Sequence, residues 1–113
     1  MFTHENLQAY RVYLEFAENS SAIVEGASSW CSFSNHLSRA TESIGTNLIR
    51  GNSQHNIAAR RVAFDIAIGS TAECAACLDV ARAKEIISDD ERVNTRMQLW
   101  RIRGMLLGLR AAK

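Results

Sequence analysis

Hydrophobic residues recur along this chain at alternating spacings of three and four, which place side chains on one face of an α-helix. No segment shows the strict alternation of a half-buried strand. The pattern predicts four helices, at about 5–25, 35–50, 57–83 and 89–111. Helices of this length with short connections favour an all-α fold, an antiparallel up-down-up-down four-helix bundle in a single domain, 1–113.

Each helix is expected to turn an apolar stripe toward the core. In the first helix the expected stripe is Leu7, Tyr10, Leu14, Ala17, Ser21 and Val24, widened by Phe16 and Ile23. In the second it is Leu37, Ala40, Ile44 and Leu48, and in the fourth it is Val93, Met97, Trp100, Leu106 and Leu107. The third helix is apolar nearly all round, which predicts that it is the most enclosed.

Residues that cap helices mark several of the boundaries. Asn56 can cap the third helix, and Ser88 followed three residues later by Glu91 is a capping box for the fourth. For the second helix, Ser34 or Asn35 is the expected N-cap. The small residues of 26–29 permit the turn that precedes it.

Gly51 is expected just past the end of the second helix. Glycine is common there because that position often takes a left-handed backbone conformation. The polar segment 51–56 is then expected to form a loop.

The composition fits long helices and a nearly neutral molecule. Proline, which breaks helices, is absent, and the formal net charge is only +1. No global field therefore draws the chain toward nucleic acid or a membrane. The charges are nevertheless uneven, since residues 1–34 hold four acids and one base, whereas residues 92–113 hold six bases and no acid.

The three cysteines do not suggest a disulfide framework, and a reducing cytoplasm is the expected location. Cys74 and Cys77 have the Cys-x-x-Cys spacing of metal and redox sites and share one helix face. Only Cys31 and three scattered histidines could complete a metal site, at no supporting spacing. Buried thiols in a crowded helix contact are the favoured alternative, and no metal is expected.

No targeting, membrane-spanning or enzyme motif stands out. Arginine and glutamate interrupt every apolar stretch before 18 residues, and no signal-peptide pattern begins the chain. Phosphate loops, zinc-protease pairs and nucleophile elbows are absent from the sequence. We therefore expect a soluble protein that is not an enzyme.

Two segments resemble a known family of four-helix-bundle proteins. The sequence RATESIGTNLIRG at 39–51 is similar to that family's RAxxSIxxNIAEG segment, and FDIAIGSTAE at 64–73 is similar to its FxxIAxGSxxE segment. The family includes the proteins encoded by intervening sequences inside large-subunit ribosomal RNA genes. One departure is that Ile49-Arg50 stands where the family has Ala-Glu, which reverses a charge.

The resemblance implies a soluble bacterial bundle without known catalysis or cofactor that forms a ring, usually a pentamer. A related branch is formed by the accessory variability proteins of diversity-generating retroelements. The resemblance to that branch implies binding of a reverse transcriptase and of RNA or DNA through basic surfaces. The motifs do not decide between the branches.

A structural polar layer is expected between the second and third helices. Arg39, Ser43 and Asn47 follow one another at intervals of four and so share a helix face. Glu73 lies in an otherwise apolar run and needs a partner if it is buried. We expect Arg39 to pair with Glu73, the alternative being a ligand site at the same seam.

Basic residues of the fourth helix are the candidate site for nucleic acid or a protein partner. Arg92, Arg96, Arg103 and Arg110 follow at spacings of four, seven and seven, and Arg50 and Arg60 add bases elsewhere. Such a row would neutralise phosphates without reading sequence, and salt would weaken the binding. An ordinary solvated face is the alternative. Trp30 and Trp100 could stack on bases, although Trp100 lies on the expected core stripe.

Together these observations predict a non-enzymatic, self-assembling bundle that serves as a scaffold or accessory in nucleic-acid transactions. The alternative is a purely structural or protein-partner oligomer that binds no nucleic acid. Neither interpretation includes a cofactor, a small-molecule substrate or a membrane.

Overall fold

The computed structural model of the chain describes residues 2–27 and 32–112. Its elements in chain order are a 3-10 turn at Thr3–Asn6 and the helices α1 Gln8–Gly26, α2 Ser32–Ser53, α3 Ile57–Ala83 and α4 Asp89–Ala111. Within the described part the fold is all-α and contains no strand, as the periodicity predicts. The expected turn residues 28–29, the candidates Trp30 and Cys31, and the terminal Lys113 lie outside it.

Neighbouring helices run in opposite directions, as the order of their contacts shows. The Tyr13 hydroxyl bonds the Thr41 carbonyl and Thr3 bonds Asn52, so α1 and α2 are antiparallel. On α3 and α4, Asp79 bonds Arg92, whereas the earlier Asp65 bonds the later Arg110. The result is an elongated bundle of 43 × 25 × 24 Å.

The core runs the length of the bundle and draws on all four helices. Its largest fully buried side chains include Phe16, Phe64, Leu37, Ile44, Leu48, Leu78, Ile102 and Leu106. The expected stripe of α2 is confirmed, because Leu37, Ala40, Ile44 and Leu48 are all buried. None of the described helices is long and apolar enough to cross a membrane.

The expected stripe of α1 is wrong, because the helix is rotated about its axis relative to the predicted orientation. Leu14 and Ser21, placed at its centre by the sequence, are exposed. The buried residues are Ala9, Val12, Phe16, Ser20 and Ile23. Leu7, Tyr10 and Val24 are half-buried at the edge of the core. Phe16 and Ile23, which were expected to widen the stripe, are buried as predicted, and both sets of residues have helical spacing.

The predicted caps of α3 and α4 are confirmed. The Asn56 side chain accepts a hydrogen bond from the backbone N–H of Ala59 at 2.9 Å. Ser88 accepts from the N–H of Glu91, and the Glu91 carboxylate accepts from the N–H of Ser88. These side chains satisfy backbone donors that have no partner inside the helix.

The expected limits of α2 are wrong at both ends. The helix begins at Ser32, before Ser34 and Asn35, and continues to Ser53. Gly51 is therefore inside the helix, and its φ is not positive. It is buried against Phe64, where a Cβ would lie 2.6 Å from the ring, so the glycine permits a close approach of α2 to α3.

Candidate functional site

The outward surface of α4 is apolar. Val93, Met97, Trp100 and Leu107, all expected in the core, are exposed, with Met97 at 67% and Trp100 at 68%. The buried residues are Thr95, Leu99, Ile102 and Leu106, so only Leu106 of the expected stripe is confirmed. The helix carries two stripes of helical spacing, and a four-helix bundle can bury one of them.

The outward surface of α3 is apolar as well. Val62, Ile66 and Val80 are exposed, and the small residues Gly69 and Ala76 lie between them on the same side. The expectation that α3 is the most enclosed helix is therefore wrong for the single chain. A helix that is apolar all round is normally buried on every side, and here one side has no cover.

A groove of about 900 Å³ separates the two exposed stripes. Ala72, Ala75 and Ala76 of α3 line one side of it, and Met97 and Trp100 of α4 line the other. We call the groove together with the two exposed stripes the α3–α4 face. The α3 side of the groove is made of small side chains, and the α4 side is made of large ones.

Most of the arginines in the predicted row on α4 contact acids of α3. Arg92 donates to Asp79 at 2.8 Å, and Arg96 lies 3.7 Å from the same carboxylate. The guanidinium of Arg110 bonds both oxygens of Asp65. This contact raises the pKa of Arg110 through the hydrogen bond and the charge of Asp65.

Arg103 differs from the other members of the row because its guanidinium lies over the ring of Trp100, 4.8 Å from the ring centroid. The predicted row thus exists and stays partly exposed to solvent, but three of its four arginines are paired with acids of α3. The interpretation of the row as an open phosphate-binding strip needs correction for Arg92, Arg96 and Arg110.

Arg50 and Arg60 contact no carboxylate among the described residues. Arg50 donates to the amide oxygen of Asn47 at 3.3 Å, so the reversed charge at this position is accommodated within α2. Arg60 lies over the ring of Phe64, 5.9 Å from its centroid. Both lie at the end of the bundle where α2 meets α3.

The polar layer between α2 and α3 has a different membership from the predicted one. Asn47 is buried and donates to the carbonyl of Ser43 at 3.0 Å, and the Ser43 hydroxyl lies 2.7 Å from that of Ser70. Arg39 and Glu73 are exposed, and no ion pair joins them within the described part of the chain. The expected Arg39–Glu73 pair is wrong, and Ser70 takes the α3 side of the layer.

A second buried polar cluster centres on Thr41. Its hydroxyl donates its single hydrogen to the Leu37 carbonyl at 2.8 Å, so it accepts from Ser20 at 3.1 Å and from the Cys74 thiol at 3.7 Å. Burial raises the pKa of Cys74 to about 12, which keeps the thiol neutral and unreactive. Burial and the nearby Glu73 also raise the pKa of Cys77.

The acidic, thiol and imidazole side chains of the described residues are scattered over the bundle. Residues 2–27 and 32–112 bring together no group of three or more His, Cys, Asp or Glu side chains that could hold a metal ion. Among the residues that line the groove the one acid is Asp79, which is bonded to Arg92. The surface suits packing against another apolar surface.

The four antiparallel helices and their common core place the chain in the class of four-helix-bundle proteins. Within that class, the chain belongs to the family described as 23S rRNA-intervening sequence protein, whose sequence profile matches residues 5–108. The predicted family resemblance is thereby confirmed. No curated protein matches the chain.

A solved structure shows the same fold. It is that of a protein with unknown function from the S23 ribosomal protein family of Bacteroides thetaiotaomicron VPI-5482. The TM-score is 0.84, with 18% sequence identity over 92% of this chain and 99% of the other. The descriptions of the family and of that protein name no catalytic activity.

Proposed function

We propose that this chain is a non-catalytic bundle that assembles with copies of itself through the α3–α4 face. The observation that carries the proposal is the distribution of exposed apolar side chains. Eight of the ten large hydrophobic residues exposed in the described chain lie on α3 and α4: Ile57, Val62, Ile66, Val80, Val93, Met97, Trp100 and Leu107.

Burial of this face is favourable because each large apolar side chain removed from water contributes roughly 1.5–3 kcal/mol. Soluble monomers rarely expose contiguous apolar patches beyond a few hundred Å². Within the described chain, the outward surface of α2 contains none of the large exposed hydrophobic residues, and that of α1 contains only Leu14. One side of the bundle is thus suited to contact and the opposite side to solvent.

The proposed assembly closes into a ring, and the pentamer implied by the family resemblance is one such ring. Rings form when the contact is between two different patches related by a rotation that closes. The α3–α4 face offers two such patches, one on each helix. A scaffold built in this way would act through the surfaces that remain outside its contacts.

The mass of the protein in solution tests self-assembly. Light scattering of the wild-type chain is expected to give a multiple of 12.5 kDa. Trp100→Asp places a charge on the α3–α4 face and is expected to shift the mass to that of one chain. Leu14→Asp is the matched control, because Leu14 is an exposed apolar residue on α1, and it should leave the mass unchanged.

Circular dichroism should show that both variants remain helical, since each side chain is exposed in the single chain. A wild-type chain that stays monomeric up to high concentration would refute the proposal. If Trp100→Asp and Leu14→Asp reduced assembly equally, the contact between copies would not lie on the α3–α4 face.

Binding of nucleic acid is the second candidate function. Arg50, Arg60 and the exposed Arg61 favour it, because they lie near one end of the bundle without a carboxylate partner among the described residues. Guanidinium groups free of carboxylates can neutralise phosphates. The α4 arginines that contact Asp65 and Asp79 contribute less to this function than the sequence suggests.

A further inference from the structure

The exposed stripe of α4 is bulky and basic. Val93, Met97, Trp100 and Leu107 follow at helical spacing, and Trp100 is 68% exposed. After Glu91 the helix contains no acid. Arg101, next to this stripe, is exposed and forms no ion pair within the described chain.

The exposed stripe of α3 is slender and acidic. It consists of residues that follow at alternating spacings of four and three: Val62, Ile66, Gly69, Glu73, Ala76 and Val80. A Cβ added at Gly69 would meet nothing within 4 Å, so open space lies above the middle of the stripe. Glu73 is the single charge in this stripe, and among the described residues it has no ionic partner.

The centres of the two stripes lie at the same height along the bundle. Asp79 of α3 lies against Arg92, and Asp65 of α3 lies against Arg110. Midway between these two contacts, the part of α3 near Ala72 and Glu73 is level with Trp100 and Arg101 of α4. A bulky basic region and a slender acidic region are therefore side by side on one molecule.

We propose that copies of this chain lie side by side in the same direction, with the α4 stripe of one copy packed against the α3 stripe of its neighbour. Trp100 then fills the space over Gly69 and Ala76 of the neighbouring copy, and Arg101 pairs with Glu73 of that copy. This arrangement rests on the proposed self-assembly and specifies which helices meet, in which orientation and through which ion pair.

Symmetry and charge together select this orientation. A symmetry axis parallel to the helices keeps every residue at its own height, so the middle of α4 meets the middle of α3 in the next copy. Reversing one copy would lay α3 on α3 and α4 on α4. That contact would bring acids toward acids and arginines toward arginines, which is unfavourable.

A charge exchange tests the pairing directly. Glu73→Arg and Arg101→Glu each place like charges opposite each other, and each is expected to raise the dissociation constant of the assembly about tenfold or more. The double variant restores opposite charges and is expected to recover assembly close to that of the wild type. Sedimentation velocity over a range of concentrations measures all four proteins.

The matched control exchanges charge outside the α3–α4 face. Glu18→Arg reverses an exposed acid on α1 and should leave assembly unchanged. Circular dichroism and thermal unfolding establish whether each variant folds. A variant that does not fold is replaced by Glu73→Gln or Arg101→Gln. These changes remove the attraction between the two charges without introducing repulsion.

The outcomes separate this pairing from the self-assembly on which it rests. Recovery in the double variant supports the Arg101–Glu73 contact between copies. If the wild-type chain assembles but the double variant loses as much affinity for itself as the two single changes combined, the Arg101–Glu73 pairing is overturned. Self-assembly would then still stand. A wild-type chain that is monomeric throughout overturns both.

Discussion

At Gly51 the backbone of α2 passes against the ring of Phe64, which is fully buried. A Cβ on this residue would lie 2.6 Å from one ring carbon and 2.8 Å from two others. Glycine is used here because a larger residue would push the two helices apart. The sequence suggests a helix end at this glycine, since composition alone does not distinguish a residue that ends a helix from one that allows close packing.

The predicted effect of Gly51→Ala is a loss of stability. Overpacking a tight helix contact costs roughly 1–3 kcal/mol, which exceeds the gain of up to about 1 kcal/mol from the better helix propensity of alanine. Chemical denaturation measures the change in the free energy of unfolding.

Gly108→Ala is the control for this substitution, because a Cβ at Gly108 meets nothing within 4 Å. That change should leave stability the same or raise it slightly. If the two substitutions had the same effect, the close approach of α2 to Phe64 would not be a constraint on the fold.

Single polar residues are partly predictable from the sequence. The spacing of Ser43 and Asn47 predicts a polar layer, and both take part in it. Their partner on α3 is Ser70, one turn before Glu73, because a serine fits between closely packed helices and a glutamate does not. An acid in an apolar run, as Glu73 is, suggests a buried charge, but Glu73 lies on the exposed side of α3.

Helix ends with a side-chain cap are predictable from the sequence. The reason is that a cap is a local interaction, contained within about four residues. The starts of α3 and α4 agree with the predicted 57 and 89 for that reason, and their ends agree with the predicted 83 and 111 without a side-chain cap. The start of α1 has no such signal, and the cap and end residues expected for α2, Ser34 or Asn35 and Gly51, lie inside that helix. Each of these three limits differs from its prediction by three residues.

Removing the Ser88 cap tests whether a local interaction stabilises the start of α4. Ser88→Ala removes the acceptor for the N–H of Glu91 and should destabilise the protein by about 1 kcal/mol, as measured by chemical denaturation. Asn94→Ala is the matched control, because Asn94 is an exposed polar residue within the same helix. A comparable loss in Asn94→Ala would show that the effect at Ser88 is not that of a cap.

The direction in which α1 and α4 face is not predictable from spacing alone. Each helix has two apolar stripes, and hydrophobic periodicity gives the same support to both. In α4, Leu99 and Ile102 are buried, whereas Met97 and Trp100 are exposed. The sequence therefore does not show which of the two stripes is buried in the bundle and which is left on its surface.

The two ends of the bundle differ in charge. In the half formed by 3–14, 45–69 and 103–112, six arginines (Arg11, Arg50, Arg60, Arg61, Arg103 and Arg110) stand against two acids, Glu5 and Asp65. The described remainder of the chain is richer in acids than in bases. The net charge of +1 hides this polarity, because the two halves nearly cancel.

Parallel copies would bring the basic halves together on one surface of the assembly. A group of arginines too weak to bind nucleic acid in one chain would then act several times on the same strand, which increases the apparent affinity. The second candidate function thus depends on the first. The residues whose replacement weakens nucleic-acid binding should be the arginines without a carboxylate partner.

The corresponding experiment measures the affinity of the protein for a short DNA duplex at several salt concentrations. Arg60→Gln combined with Arg61→Gln should weaken binding, and each lost phosphate contact should reduce the slope of log affinity against log salt by about 0.9. Trp100→Asp, which is expected to separate the copies, should weaken binding while leaving every one of these arginines in place.

Arg92→Gln is the control for the basic end, because Arg92 is bonded to Asp79 and should matter little. If Arg92→Gln weakened binding as much as the Arg60 and Arg61 changes, the basic end would not be the binding surface. Binding that did not respond to salt would argue against phosphate recognition altogether, because the release of counterions from phosphates makes such binding depend on salt.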